Sequence, residues 1–132
     1  MRIIKKPLTP YSEHNIQANC VTWFRMQYPK LASLLFAVPN GTYFNSATRG
    51  KAFAYHRKLV AEGLTKGVAD LILLVPRNGF GALCVEMKTK IGKQSTEQKE
   101  WQKTAENNGN KYIVCRSLEE FIFAVNNYLK EL

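Results

Sequence analysis

Two apolar segments joined by a turn constrain the fold of this chain more than any other feature. Leu71–Val75 is a continuous apolar run, and a second apolar segment spans Gly81–Lys88 after the turn at Pro76–Gly79. A continuous apolar run bounded by turn residues indicates a strand that is covered on both faces of a sheet. We therefore predict that residues 68–75 and 81–88 form an antiparallel hairpin at the centre of a sheet.

Capping residues place helices around this hairpin. Ser12 is a suitable N-cap for a first helix, Gly63 is a suitable end for a second, and Ser95 with Gln98 forms a capping box for a third. A further capping box begins at Ser117. We expect helices over 13–28, 51–62 and 96–108 and after Ser117, and short strands over Leu34–Val38 and Tyr112–Cys115.

The order of these elements predicts an α/β fold with a mixed central β-sheet flanked by helices. A chain of 132 residues is long enough for one packed domain and too short for two of ordinary size. We expect a single domain over residues 11–132. Residues 1–10 form an extended lead-in, because Pro7 and Pro10 oppose a helix.

The charge balance favours a polyanionic partner. Lys and Arg number 19 against 10 Asp and Glu, which gives a formal net charge of +9. The basic residues are spread along the chain, which predicts a binding groove rather than a basic tail.

Two further features bear on the compartment. No apolar run is long enough to span a bilayer and the N-terminus lacks a signal-peptide apolar region, so we expect an intracellular protein without a membrane partner. Cys20, Cys84 and Cys115 form no CxxC pair and are expected to be buried, reduced thiols.

Three polar residues of the hairpin carry the candidate chemistry. Asp70 and Glu86 are equidistant from Asn78, so a turn centred there places them opposite each other, with Cβ atoms about 4.5–5.5 Å apart. Lys88 lies two residues beyond Glu86 and therefore points to the same face. Two adjacent carboxylates favour an all-oxygen cation site for Mg²⁺ or Mn²⁺. The alternative is a surface ladder of charged residues, and a shift of one residue in register would separate the pair.

A longer pattern joins these residues to others. Glu13, the glycine-containing approach Gly63–Asp70, the Glu86–Lys88 tripeptide and the segment Ser95–Trp101 together resemble the virus-type replication-repair nuclease family, the VRR-NUC domain, of the PD-(D/E)XK nuclease superfamily. The resemblance runs from about Glu13 to Val114. It implies a restriction-endonuclease-like core and metal-dependent hydrolysis of phosphodiester bonds in DNA.

The resemblance also implies roles for individual residues. Glu13, Asp70 and Glu86, with the backbone carbonyl of Met87, bind Mg²⁺ or Mn²⁺. Lys88 is the catalytic lysine, and Gln98 orients water or phosphate. The family usually has proline before the aspartate, where this chain has Ala69. Because proline there would stiffen the backbone without binding metal, we expect the chain to remain active.

The resemblance implies a homodimer that cuts branched DNA in replication, repair or recombination, in the manner of a Holliday-junction resolvase of a bacterium or phage. A restriction-like endonuclease, a flap nuclease and a catalytically silent DNA-binding module are the alternatives. The residues expected to contact DNA are Asn40, Arg49, Lys51, Arg57, Lys58, Lys66 and Lys90.

Overall fold

A computed structural model describes residues 12–39 and 49–130. The elements follow the predicted order, with one addition, a 3₁₀ helix between the first helix and the first strand. They are α1 (Glu13–Gln27), the 3₁₀ helix (Pro29–Leu34), β1 (Leu35–Ala37), α2 (Arg49–Ala61), β2 (Leu71–Leu73), β3 (Leu83–Met87), α3 (Thr96–Asn107), β4 (Lys111–Cys115) and α4 (Leu118–Leu129). The predicted lead-in over residues 1–10 lies outside the described residues.

The four strands form one mixed sheet in the order β1-β2-β3-β4. β1 and β3 each pair with β2 in antiparallel fashion, and β4 pairs with β3 in parallel. The parallel step crosses from β3 to β4 through α3, as a parallel connection requires. The predicted α/β class, with a mixed sheet flanked by helices, is therefore confirmed.

The hairpin register is the one expected from the sequence. Leu71 pairs with Val85 and Leu73 with Leu83, which keeps Asn78 equidistant from each pair. The tight turn itself is centred between Asn78 and Gly79, which both have positive φ, and its closing bridge joins Arg77 to Phe80. Between the ladder and this bridge, the segment from Leu73 to Arg77 therefore contains one residue more than the segment from Phe80 to Leu83.

The strands are shorter than predicted, and the 3₁₀ helix was not anticipated. The ladder between β2 and β3 ends at Leu71, because the next main-chain donor, the N–H of Met87, binds the side chain of Asp70 instead of a backbone carbonyl. The 3₁₀ helix starts at Pro29, whose fixed φ suits the first position of a helix.

The two faces of the sheet differ in what covers them. One face packs on α1 and α4, in an apolar cluster whose buried members include Phe24, Leu71, Val85, Met87 and Phe121. The alternate residues of the same strands face α3. They form a smaller cluster of Ala69, Cys84 and Tyr112, with Ile72, Trp101 and Val114 packed against it. Glu86 follows Cys84 by two residues in β3 and so belongs to this second face.

The three cysteines are free and buried, as expected. Burial raises the pKa of the Cys84 thiol to about 11, so it stays protonated at neutral pH. Within the described ranges, the structure contains no helix with the length and apolar character needed to cross a membrane.

Two phenylalanines of α4 test the position of the core. Phe121 is fully buried and meets Trp23 edge-on, with ring centroids 6.0 Å apart, whereas Phe123 is 72% exposed. We expect Phe121→Ala to lower the free energy of unfolding by about 3–5 kcal/mol. Phe123→Ala, the matched control, should change it by less than about 0.5 kcal/mol. Urea unfolding followed by circular dichroism measures both values, and equal losses would show that α4 packs through a different face.

Candidate active site

The structure brings Asp70 and Glu86 together at the ends of two neighbouring strands. Leu71 pairs with Val85 at the end of the ladder, so the residues at the next position are Asp70 on one strand and Glu86 on the other. Their side chains lie within hydrogen-bonding reach of each other. Glu86 is only 1% exposed, so the surface ladder that the sequence left open is excluded.

Asp70 is held on both sides by main-chain groups. Its carbonyl oxygen accepts a hydrogen bond from the N–H of Val38 at 2.9 Å, on the β1 side. Its Oδ2 accepts one from the N–H of Met87 at 2.7 Å, on the β3 side. The N–H and C=O of a strand residue point to the same side, so the Met87 carbonyl also lies on the β2 side of β3.

Glu86 is a carboxyl group placed inside an otherwise apolar strand, since every residue of β3 is buried. Burial raises the pKa of Glu86 above its ordinary value, and the hydrogen bond and negative charge of Asp70 raise it further. The hydroxyl of Tyr112 and the charge of Lys88 act in the opposite direction. Without a bound cation, the pair therefore favours a proton on Glu86.

A chain of hydrogen bonds connects Glu86 to the segment before α3. The Tyr112 hydroxyl donates to Oε2 of Glu86 at 3.0 Å. The side-chain amide of Gln94 donates to the Tyr112 oxygen at 3.2 Å and to Oε1 of Gln102 at 3.0 Å. Burial, and then the charge of Glu86, raise the pKa of Tyr112, so its hydroxyl keeps the proton that it donates.

Lys88 lies between Glu86 and the first helix. Its main-chain N–H extends the pairing with β4 by donating to the carbonyl of Cys115 at 3.0 Å. Its side chain is 12% exposed, and Nζ lies 3.8 Å from Oε1 of Glu13. Glu13 is thus placed against Lys88. Among the described residues, no group of three His, Cys, Asp or Glu side chains is close enough to hold a metal ion together.

Gln98 completes the capping box predicted for α3. Its Oε1 accepts from the N–H of Ser95 at 2.8 Å, and its own N–H donates to the Ser95 hydroxyl at 3.1 Å. The cap uses the side-chain oxygen of Gln98, so the two N–H groups of the same amide are the donors that this side chain can offer to a ligand.

A glycine fixes the N-terminus of α3 next to the approach to Asp70. Gly67 has φ +82°, and a Cβ atom there would lie 2.4 Å from the carbonyl oxygen of Glu97. Only glycine permits both this conformation and this contact. Ala69, where the family usually has proline, is fully buried against the second face of the sheet. In this chain the position therefore serves packing.

The residues expected to contact DNA are only partly described. Arg57 and Lys58 are exposed on α2, Lys66 is exposed in the segment that leads to Asp70, and Lys90 is exposed two residues after Lys88. Arg49 and Lys51 belong to α2, but their side chains lie outside the described part of the structure, as does Asn40 altogether.

Comparison with known proteins decides the family. The family model for the VRR-NUC domain matches residues 11–119. The chain belongs to the VRR-NUC domain family. A solved structure of a "VRR_NUC domain protein" is similar in fold, with a TM-score of 0.73 and 20% sequence identity, over 89% of this chain and 87% of that chain. A search of the curated proteins finds no match.

VRR-NUC domains are nuclease domains, so this chain is a nuclease domain. The donor set at the strand ends fits a hard divalent cation. It offers two carboxylates and, from Met87, a main-chain carbonyl, which are the oxygen ligands that Mg²⁺ and Mn²⁺ prefer.

Sequence reasoning about this VRR-NUC domain missed Tyr112 and Gln94. The sequence predicts only a strand at Tyr112 and no role for Gln94. Their contacts with the site depend on the parallel pairing of β3 with β4, in which Cys84 lies opposite Tyr112. A hairpin register is readable from its turn, but the register across a helical crossover leaves no comparable signal in the sequence.

The raised pKa of Glu86 predicts how metal-free stability depends on pH. The folded protein keeps a proton that the unfolded chain releases near the ordinary value of 4.5. Since the folded state then binds more protons, the free energy of unfolding should fall as the pH rises above that value. Glu86→Gln should flatten this slope and raise the melting temperature at about pH 8 relative to the wild type.

Thermal unfolding in EDTA measures the slope. Glu106→Gln, which alters an exposed glutamate of α3, is the matched control and should keep the wild-type slope. An unchanged slope in Glu86→Gln would mean that Glu86 is ionised in the folded protein.

Proposed function

We propose that this VRR-NUC domain hydrolyses phosphodiester bonds in DNA with a divalent cation, Mg²⁺ or Mn²⁺, held by Asp70, Glu86 and the Met87 carbonyl. The observation that carries the proposal is the side-by-side placement of two carboxyl groups, one of them buried, at the ends of β2 and β3. Burying a charge is costly unless it is paired or binds a metal. A cation held by the two carboxyl groups would take the place of the proton on Glu86 and offset that cost.

The reaction follows from the groups around the pair. When bound, the cation supplies positive charge to the phosphate as it reacts. The Lys88 ammonium donates a hydrogen bond to the attacking water or to a phosphate oxygen. Water adds to phosphorus and releases a proton to solvent, the bond to the leaving sugar oxygen breaks, and that oxygen takes up a proton from solvent. The products are a phosphomonoester and a free hydroxyl.

Glu13 and Gln98 complete the proposed site. The carboxylate of Glu13 is half exposed and contacts Lys88, so it both orients the ammonium and is available to the cation. Gln98 sits in the first turn of α3, where Gly67 holds the helix against the approach to Asp70. Its amide N–H groups would orient water or phosphate.

Single-turnover cleavage of labelled DNA in Mg²⁺ tests this proposal. Asp70→Asn and Glu86→Gln should each lower the rate by at least about 100-fold, because each removes a charged oxygen ligand. Lys88→Met should lower the rate by a similar factor while metal binding, measured by calorimetry, stays close to that of the wild type. Glu106→Gln and Lys103→Ala, which change exposed residues of α3, are the matched controls.

Two results would contradict the proposal. Cleavage that continues in EDTA would show that the reaction does not need a divalent cation. DNA binding by the wild type without any cleavage, in either Mg²⁺ or Mn²⁺, would instead support the catalytically silent module.

The exposed basic residues support contact with the DNA backbone. The chain has a formal net charge of +9, to which four exposed residues contribute: Arg57, Lys58, Lys66 and Lys90. Contacts of such residues with phosphates release counterions. We assign Asn40, Arg49 and Lys51 to the same surface from the sequence alone.

For the substrate, we propose branched DNA cut by a homodimer, in replication, repair or recombination inside a bacterial or phage-infected cell. The family resemblance supports this assignment. One chain carries one Asp70–Glu86 pair, whereas resolving a four-way junction needs two cuts on strands related by two-fold symmetry. A symmetric dimer presents two sites with that relation.

A heterodimer separates a resolvase from a monomeric flap or restriction-like nuclease. Wild type and Asp70→Ala are co-purified through different tags and given a four-way junction. The heterodimer should nick one strand, whereas the wild-type dimer should release two duplexes. Sedimentation as a monomer with DNA present, or full resolution by the heterodimer, would contradict the paired cut and favour the monomeric alternatives.

A further inference from the structure

The turn that follows Lys88 presents an apolar side chain to solvent beside the candidate active site. Ile91 is 90% exposed, more than any other large hydrophobic residue among those that the structure describes. It lies three residues after Lys88, in the segment Lys88–Lys93, which we call the lysine turn. The lysine turn therefore carries an exposed apolar side chain next to Lys88 of the candidate active site.

The lysine turn is held from within by an arginine. Nη1 of Arg116 donates to the carbonyls of Thr89 and Gly92, at 2.7 Å each, with a longer contact of 3.4 Å to the carbonyl of Lys90. Arg116 itself follows β4, and its main-chain N–H binds Oε2 of Glu120 at 2.6 Å. One cation thus gathers the carbonyls of the turn and fixes it to the end of the sheet.

A second set of contacts tightens the same turn. The N–H of Gly92 binds both the carbonyl and the hydroxyl oxygen of Thr89, at 3.2 and 3.1 Å. Ile91 is therefore carried on a backbone with several internal constraints. A rigid apolar tip loses little conformational entropy when it enters a contact.

The charge of the lysine turn identifies the chemistry of the partner. The segment contains Lys88, Lys90 and Lys93 and no acidic residue, and Lys90 and Lys93 are exposed. An apolar tip between cations matches a partner that combines flat apolar surfaces with a phosphate backbone. DNA has both, and proteins that unstack DNA insert apolar wedges of this kind between base steps.

We propose that Ile91 is a wedge that contacts DNA bases where stacking is interrupted, next to the bond that is cut. Lys90 and Lys93 hold the flanking phosphates, and Arg116 keeps the turn in place. This role rests on the proposed DNA-cutting function and adds a basis for selecting branched over continuous duplex DNA. Stacking is already broken at a branch point, so a wedge enters there at lower cost than in a regular duplex.

Fluorescence of 2-aminopurine tests the wedge without requiring cleavage. The base analogue is placed at the branch point of a three-way junction, and the protein is added in EDTA. Wild type should raise the fluorescence as the analogue unstacks, Ile91→Ser should lose most of the rise, and Ile91→Leu should keep it. Met26→Ser is the matched control, since Met26 is 79% exposed at the far end of α1, about 20 Å along the helix from Glu13.

Cleavage gives a second readout in Mg²⁺. Ile91→Ser should cut the junction roughly tenfold more slowly than the wild type, while its rate on single-stranded DNA, which has no ordered stack to open, should change by less than about twofold. The Met26→Ser rates should match those of the wild type on both substrates.

The outcomes separate the wedge from the nuclease proposal. If wild type cuts DNA and Ile91→Ser keeps the full fluorescence rise, the wedge is overturned and the nuclease proposal stands. If the wild type cuts nothing but raises the fluorescence, and Ile91→Ser does not, the contact of Ile91 with unstacked bases stands and the nuclease proposal alone is overturned. A change in sedimentation caused by Ile91→Ser would show that this residue joins two copies of the chain, and would overturn the proposal.

Discussion

The burial of the Glu86 carboxyl group beside Asp70 is the interaction on which the site depends. Glu86 occupies a strand in which every other residue is apolar or sulphur-containing and all are buried. The cost of placing an acid there is reduced by the Tyr112 hydroxyl and by the nearby charge of Lys88. The remaining cost is what a cation would remove. The feature that destabilises the metal-free site is thus the feature that would give it affinity for a metal.

Several contacts around the site keep the carboxyl pair in register. The carboxylate of Asp70 accepts the hydrogen bond from the Met87 N–H that a backbone carbonyl would accept if the pairing of β2 with β3 continued. The same contact therefore ends β2 and positions the carboxylate. Gly67 lets α3 approach the segment that leads to Asp70, and Gln94 ties the start of α3 to Tyr112. The site is therefore assembled from β2, β3, β4 and α3, with Lys88 reaching Glu13 of α1.

The sequence predicted the parts of the site that depend on local pairing. The opposition of Asp70 and Glu86 followed from the hairpin turn, because a hairpin register depends on the positions that the turn joins. The turn is centred half a residue beyond Asn78, and the arm that leads from β2 to the turn contains one residue more than the arm that leads to β3. These two deviations offset each other, so Asp70 still lies opposite Glu86. Parallel pairing across α3 has no such signal, so the contact of Tyr112 with Glu86 was not predicted. Glu13 was expected among the metal ligands, and the structure places it against Lys88, a long-range contact that the sequence does not determine.

The most direct test of the central claim is to locate the cation. Crystals grown with Mn²⁺ and measured at its absorption edge would give an anomalous peak at the metal position. The peak should lie about 2 Å from carboxylate oxygens of both Asp70 and Glu86 and from the Met87 carbonyl oxygen, and it should vanish in Glu86→Gln crystals. A peak elsewhere, or one that persists when Glu86 is replaced, would contradict the assignment of this pair as the metal site.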